Sequence, residues 1–315
     1  MCSEEYDLAQ NARSFMKRRH FIKSMAAYSA LPVLGESQAA QPITKIIPSS
    51  GERIPVIGMG TWQTFDVGRS AEARAGLRIV LQEFFDRGGR VIDSSPMYGS
   101  SEPVIGALLP QMRPRRAAFA ASKVWVPGKR LGVSQIESSR KQWSIQRFDL
   151  LAVHNLLDWE AHLETLGDMK VNGRLRYFGV TTSHGRRHDL LEQIMRKVPL
   201  DFVQFTYNLA DRSAEDRLLP LAQERGIAVM INRPLDGGGL FDRVRGKQLP
   251  GWAAEAGVRN WAQFFLRFVV SHPGITCAIP ATAQRAHMIE NMGAGTARLP
   301  DTAIRRRMAD YFRVL

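Results

Sequence analysis

From residue 41 onward, short apolar runs alternate with longer stretches in which apolar side chains recur every three to four positions. The short runs predict strands at residues 56–60, 90–94, 117–123, 150–154, 175–181, 202–207, 227–232 and 276–279. The longer stretches predict helices at 71–87, 134–145, 159–171, 188–197, 214–225 and 260–271. The runs 149–154 and 226–232 are apolar almost throughout, as expected for parallel strands covered on both faces. Eight strands alternating with helices predict an α/β fold, a (β/α)8 TIM barrel. The competing arrangement is an open doubly wound sheet, which calls for a Gly-rich phosphate turn. Gly58-Met59-Gly60-Thr61-Trp62 lacks the third glycine of that turn, and no helical pattern follows it. Residues 43–47 and 53–56 flank Ser49-Ser50-Gly51-Glu52, which predicts a β-hairpin capping the bottom of the barrel.

The first forty residues carry a different pattern. Lys17-Arg18-Arg19-His20-Phe21-Ile22-Lys23 is followed by the weakly apolar stretch 25–34 and then by Ser37-Gln38-Ala39-Ala40. A basic start, a short apolar stretch and small residues have the layout of a cleavable signal. The apolar part falls well short of the ~20 residues that a membrane-spanning helix needs, so no stable membrane insertion is expected. Arg18-Arg19 ahead of Phe21-Ile22-Lys23 resembles a bacterial twin-arginine signal, read by machinery that exports folded proteins. Residues 1–40 are therefore expected to be a leader, with 1–15 upstream of the natural start at Met16, and 41–315 a single barrel domain. The expected location is the periplasm.

Composition adds two constraints. Of the two cysteines, Cys2 lies in the leader, so Cys277 would be the one thiol left, and no disulfide framework or cysteine-rich metal site is available. The formal net charge is +13, which suits polyanions, a phosphorylated cofactor included. The basic residues are scattered apart from Arg305-Arg306-Arg307 near the C-terminus, and no zinc-finger spacing, aromatic RNA-binding signature or basic-plus-heptad pattern accompanies them. Nucleic acid is not an expected partner.

In a barrel the chemistry sits where strands end. The second strand closes on Asp93, with Tyr98 in the loop after it; the third closes on Lys123 and the fourth on His154. Taken singly, each has an ordinary use: a turn-forming Asp, a packed Tyr, a solvated Lys, a satisfied core His. On successive strands they make an acid–base set. An ammonium lowers a neighbouring phenol's pKa, a carboxylate holds the ammonium, and a neutral imidazole orients a carbonyl oxygen.

These segments resemble the aldo-keto reductases over essentially residues 43–292. Asp93-Ser94-Ser95-Pro96-Met97-Tyr98-Gly99 looks like the family's Asp…Tyr-Gly signature, and Ser122-Lys123 and Val153-His154-Asn155 resemble its Lys and His segments. Gln204-Phe205-Thr206-Tyr207-Asn208 is similar to its sixth-strand motif. Ile279-Pro280-Ala281-Thr282, continuing to Glu290-Asn291, is similar to its cofactor-phosphate segment. The resemblance implies NAD(P)H-dependent reduction of a small aldehyde or ketone, or the reverse oxidation. It makes Tyr98 the general acid, Lys123 and Asp93 its tuning pair, and His154 the residue that orients substrate. Gly60, Thr61, Thr181, Thr182, Gln204, Asn232, Arg233, Pro234, Leu235, Thr282, His287, Glu290 and Asn291 are implied to bind the cofactor. Trp62, Trp125 and Asn155 are implied to line the substrate mouth.

Three positions depart from the pattern. Thr181-Thr182 stands where the family has Ser-Asn or Thr-Asn, and Thr182 offers a hydroxyl in place of an amide. Asn232 stands where an aromatic often stacks on nicotinamide, while the adjacent Arg233 could reach pyrophosphate. His287 stands where many members carry Arg for the adenosine 2′-phosphate. Thr282 and the basic charge favour NADP(H), with NAD(H) the alternative. Two other readings compete: a non-catalytic nucleotide-binding barrel, which the complete tetrad opposes, and a metal-dependent hydrolase, for which the first strand lacks a paired His-x-His or carboxylate cluster.

Overall fold

A computed structural model describes residues 41–113 and 118–315. The expected leader, and residue 117 at the start of the third predicted barrel strand, lie outside the described residues. The hairpin forms as β1 (Thr44–Ile46) and β2 (Arg53–Pro55), paired antiparallel.

Eight strands follow: β3 (Met59–Gly60), β4 (Val91–Asp93), β5 (Phe119–Val124), β6 (Phe148–His154), β7 (Leu175–Thr181), β8 (Phe202–Thr206), β9 (Ala228–Asn232) and β10 (Cys277–Ala278). Each pairs in parallel with its neighbour in chain order. The seam between first and last strands is held by parallel bridges, Ile57 with Ala278 and Gly60 with Ala281. Only these isolated bridges join the seam, which is why β3 and β10 are shorter than their apolar runs. The fold is the expected (β/α)8 barrel with an N-terminal hairpin.

The helices are α1 (Ala71–Asp86), α2 (Ser101–Leu108), α3 (Lys129–Gln142), α4 (Trp159–Val171), α5 (His188–Lys197), α6 (Leu218–Glu224), α7 (Gly239–Arg243), α8 (Trp261–Val270), α9 (Arg285–Gly293) and α10 (Thr302–Arg313). Two differ from their expected bounds for identifiable reasons. The helix expected from 134 begins at Lys129, because Gly132 is a packing residue and not a turn: a Cβ there would sit 2.5 Å from His162 Cε1 on α4. The helix expected over 214–225 breaks into a 3-10 turn (Ser213–Glu215) and α6. Pro220 cannot donate a backbone hydrogen bond, so the helix restarts at Leu218 and keeps the proline in its first turn. Among the described residues no helix is long and apolar enough to cross a membrane.

Side chains pointing inward from the strands fill the barrel: Val91, Phe119, Leu150, Tyr177, Phe202, Met230 and Cys277 pack with Ile47 and Ile54 from the hairpin. Phe119, Tyr177 and Phe202 form one aromatic cluster, with centroids 5.7–6.1 Å apart. Truncating such a ring to Ala costs about 3–5 kcal/mol. The hairpin is pinned over this end by Glu52, which accepts from Tyr177 Oη at 2.8 Å and from Arg90 at 3.2 Å. With the N-terminal end plugged, the opposite end of the barrel is left to carry chemistry.

Candidate active site

Asp93 ends β4 and is buried. The chain then turns on itself: Tyr98 N–H donates to Ser95 O at 3.0 Å and Ser101 N–H to Tyr98 O at 3.0 Å, which returns the Tyr98 ring over the barrel mouth and starts α2. Lys123, from β5, is 1% exposed; its Nζ donates to Asp93 Oδ2 at 2.6 Å and to Ser94 O at 2.8 Å, and lies 5.2 Å from the Tyr98 ring centroid. A buried ammonium needs such partners to be tolerated. His154, from the end of β6, sets its ring edge-on to Tyr98 with centroids 6.0 Å apart, and 6.1 Å from Trp125. The four residues expected to converge from separate strands do so.

The electrostatics correct one expectation. Burial raises the Tyr98 hydroxyl above its ordinary value; Lys123 pulls the other way, but Asp93 adds to the rise. The phenol is therefore held protonated, and Lys123 moderates its acidity without lowering it below that of a free tyrosine. Burial disfavours the charged form of Lys123, yet Asp93 and Tyr98 outweigh it and hold the ammonium above its usual range. Burial, followed by repulsion from Lys123, pushes His154 down to about 3, so the ring is neutral at working pH.

A polar chain runs along the strand ends beside this group. Gln204 Nε2 donates to Asp93 Oδ1 at 3.0 Å, and Gln204 Oε1 accepts from Thr181 Oγ1 at 3.0 Å. Asn232 Nδ2 donates to Thr182 O at 2.8 Å and lies 3.4 Å from Gln204 Oε1, while Asn232 Oδ1 accepts from Thr206 Oγ1 at 2.7 Å. Thr182 is buried with its hydroxyl unpartnered and does not reach the cavity wall, contrary to its expected place. An amide nonetheless stands beside Gln204, contributed by Asn232 on the adjacent strand β9.

A cavity of about 640 Å³ opens over these residues. Gly60, Thr61 and Trp62 form one wall, with Asp93, Tyr98, Trp125, His154 and Asn155 beside them. Thr181, Gln204, Asn232, Arg233, Pro234 and Leu235 follow round the mouth, and Thr282, His287, Glu290 and Asn291 form the far end. All the expected site residues except Lys123 and Thr182 therefore line it. Lys123 lies behind Asp93 and Tyr98. Arg233 is at φ +48°, with Nη2 3.0 Å from Asp236 Oδ1, so its guanidinium is partly engaged. Thr282 Oγ1 accepts from Gln284 N–H at 3.0 Å and turns the chain into α9, whose N-terminus carries no acidic residue and no side-chain cap.

Several residues at or behind the wall were not expected. Ser95 packs under His154, with Oγ 3.1 Å from Nδ1. Its place between Asp93 and Tyr98 was the available signal. Met97 and Phe241 join Trp62 at the rim, at 45%, 38% and 44% exposure, giving the mouth an apolar collar. Phe241 lies on α7, which starts at the end of the run Gly237-Gly238-Gly239.

The donor set suits a nicotinamide dinucleotide. The cavity reaches from β5 and β6 across the mouth to the segment after β10, and its volume falls within the usual 300–1,000 Å³ of cofactor sites. Uncapped backbone N–H groups at a helix N-terminus suit phosphate oxygens at the far end, and Gln204, Thr181 and Asn232 present an amide-recognising array near Tyr98.

Comparison with known proteins agrees. Methylglyoxal reductase YeaE of Escherichia coli (strain K12) is 29% identical over 255 residues, covering 78% of this chain and 88% of that protein. The NADH-specific methylglyoxal reductase of the same organism is 23% identical over 232 residues, covering 62% and 68%. An aldo/keto reductase from Klebsiella pneumoniae, solved in complex with NADP and acetate, superposes with a TM-score of 0.68 at 25% identity, covering 83% of this chain and 93% of that one. Residues 56–308 match the aldo/keto reductase family as a whole. On its barrel, on the residues gathered at its mouth and on that match, the chain belongs to the aldo/keto reductase family.

Proposed function

We propose that this oxidoreductase reduces a small aldehyde or ketone to the alcohol, or runs the reverse, with Tyr98 as the general acid and NADP(H) favoured over NAD(H). The observation that carries this reading is the buried Lys123–Asp93 pair, 2.6 Å apart, set against the ring of Tyr98. The bound dinucleotide supplies the hydride. Tyr98 passes its hydroxyl proton to the carbonyl oxygen, and Lys123 stabilises the phenolate left behind. His154, neutral, orients the carbonyl oxygen beside Tyr98. Trp62, Trp125 and Asn155 form the substrate wall and exclude water.

Gln204, Thr181 and Asn232 would hold the carboxamide, with Gly60 and Thr61 lining the cavity at the end of β3. Arg233, Pro234 and Leu235 border the pyrophosphate, and Thr282, His287, Glu290 and Asn291 surround the adenosine end. The N-terminus of α9, free of acids, favours the extra phosphate of NADP(H). The Klebsiella relative solved with NADP supports that preference, and the relative named as NADH-specific keeps NAD(H) in the test.

The relatives named methylglyoxal reductases make α-ketoaldehydes the first substrates to try. Purified protein should consume NADPH on addition of such an aldehyde, followed by loss of nicotinamide absorbance. Tight nucleotide binding without turnover across a broad carbonyl panel would favour the non-catalytic barrel. The Arg18-Arg19 leader supports export as a folded barrel, with loaded nucleotide, to the periplasm by the twin-arginine machinery.

A further inference from the structure

We infer that Ser95 is a positioning residue that fixes the tautomer of His154, so that the imidazole presents Nε2–H, and not a bare nitrogen, to the cavity. The inference deepens the carbonyl-reductase reading and rests on it for its functional consequence, but the tautomer itself is a property of the resting protein.

The argument is an accounting of protons. Ser95 is fully buried. Its Oγ accepts from Met97 N–H at 3.2 Å and lies 3.1 Å from His154 Nδ1. A hydroxyl has one proton to place, and among the described residues the only acceptor within reach of Ser95 is that ring nitrogen. If Nδ1 carried the proton, two donors would converge on Oγ and the hydroxyl's own proton would be left buried with no acceptor. Buried donors are rarely left that way. The hydroxyl therefore donates to a bare Nδ1, and in a neutral ring the proton must sit on Nε2. Burial and Lys123, which hold His154 neutral, keep a second proton off Nδ1. Among the described residues Nε2 has no hydrogen-bond partner, and His154 lines the cavity.

The same serine sets the other proton-bearing group. Its carbonyl accepts Tyr98 N–H at 3.0 Å, closing the turn that places the phenol over the mouth. One residue thus ties the turn of Tyr98 to the ring of His154, and both proton-bearing rings border the same cavity with centroids 6.0 Å apart. An oxygen that accepts twice, as a carbonyl oxygen does, satisfies both; a group that must donate to His154 does not.

The test is the ring-nitrogen spectrum of the full-length protein labelled with 15N-histidine, with and without NADPH, the His154 signals being assigned by their loss in His154→Gln. The expected result is a protonated Nε2 and a bare Nδ1 in the parent. In Ser95→Ala the ring should shift towards the opposite tautomer, and kcat/KM for carbonyl reduction should fall about tenfold at unchanged nucleotide Kd, as for one lost hydrogen bond. Ser95→Thr, which keeps the hydroxyl, should restore the parent spectrum. A proton on Nδ1 in the parent overturns the inference whether or not any variant folds. So does a Ser95→Ala spectrum identical to the parent's, which would leave Ser95 with the turn alone. If the parent shows Nε2–H and yet turns over no carbonyl, the tautomer assignment stands and the carbonyl-reductase reading fails.

Discussion

Gln204 reaches from β8 to donate its amide to Asp93 Oδ1 at 3.0 Å, while Lys123 holds the other carboxylate oxygen at 2.6 Å. The residue proposed to recognise the nicotinamide carboxamide is therefore also a support of the Lys123–Asp93 pair. Gln204 Oε1, taken by Thr181 at 3.0 Å, passes the link on to β7. The groups proposed for cofactor recognition and for proton chemistry share one hydrogen-bonded layer across the strand ends.

Removing the proposed proton donor tests the chemistry most directly. Tyr98→Phe keeps the ring and should lower carbonyl turnover by about 10²–10⁴-fold, with nucleotide binding and stability intact. In the parent, burial holds the hydroxyl protonated above its ordinary pKa of 10.0. Reduction should therefore decline only above pH 10.0, and alcohol oxidation, which begins from the phenolate, should rise over the same range. A Tyr98→Phe enzyme that reduces its best substrate at the parent rate would falsify the role given to Tyr98.

Lys123→Met should lose comparable activity for a different reason, and should also lose stability. It leaves Asp93 buried with one neutral partner, Gln204. Breaking a buried pair from one side costs about 3–5 kcal/mol. Denaturant unfolding should show that drop in Lys123→Met and not in Tyr98→Phe. Because the two residues act as a unit, turnover in the double variant should be little worse than in either single one. Additive losses would separate them.

Acid stability should depend on His154. Its pKa is lowered from 6.5 to about 3 by burial and then by Lys123. The unfolded chain binds more protons than the folded one between those values, so stability is full above 6.5 and is lost as pH falls towards 3. His272, lowered to about 4 by burial and then by Arg305, acts in the same direction. His154→Gln should flatten part of this acid limb in unfolding curves collected against pH. An unchanged limb would show that His154 does not titrate on unfolding.

Phosphate discrimination can be read by calorimetry. NADPH should bind more tightly than NADH, and added salt should narrow the gap through screening. His287 is exposed at the start of α9, so His287→Arg should widen the preference by offering a bidentate partner. Equal affinities in the parent, unmoved by that substitution, would remove the adenosine phosphate from this end of the cavity.

Export is tested separately from catalysis. Changing Arg18 and Arg19 to Lys keeps the charge and removes the planar guanidinium groups. The protein should then stay in the cytoplasm with unaltered activity, followed by fractionation. Normal periplasmic accumulation of the double-Lys form would remove the export proposal.

The chain by itself determined the barrel, because eight apolar runs separated by amphipathic stretches leave few other ways to bury both faces of a parallel sheet. It also marked Asp93, Lys123 and His154, polar residues that close apolar runs and stand out against them, and Tyr98 in the loop that follows Asp93. Other features were decided by contacts between residues far apart in sequence. The start of α3 ahead of residue 134 takes in Gly132, whose missing Cβ leaves room for His162, thirty positions on. Thr182 reads as a pocket residue until the fold buries it away from the cavity that Thr181 lines, and Asn232 reads as a missing aromatic until its amide meets Gln204. Ser95 is one more loop serine until the ring of His154, from another strand, comes within 3.1 Å. The sign of the Tyr98 shift was likewise beyond the reach of sequence: a neighbouring lysine predicts a lowered pKa, and only the folded barrel supplies the burial that outweighs it. Periodicity records which face of an element is buried; what stands opposite that face is a property of the packed molecule.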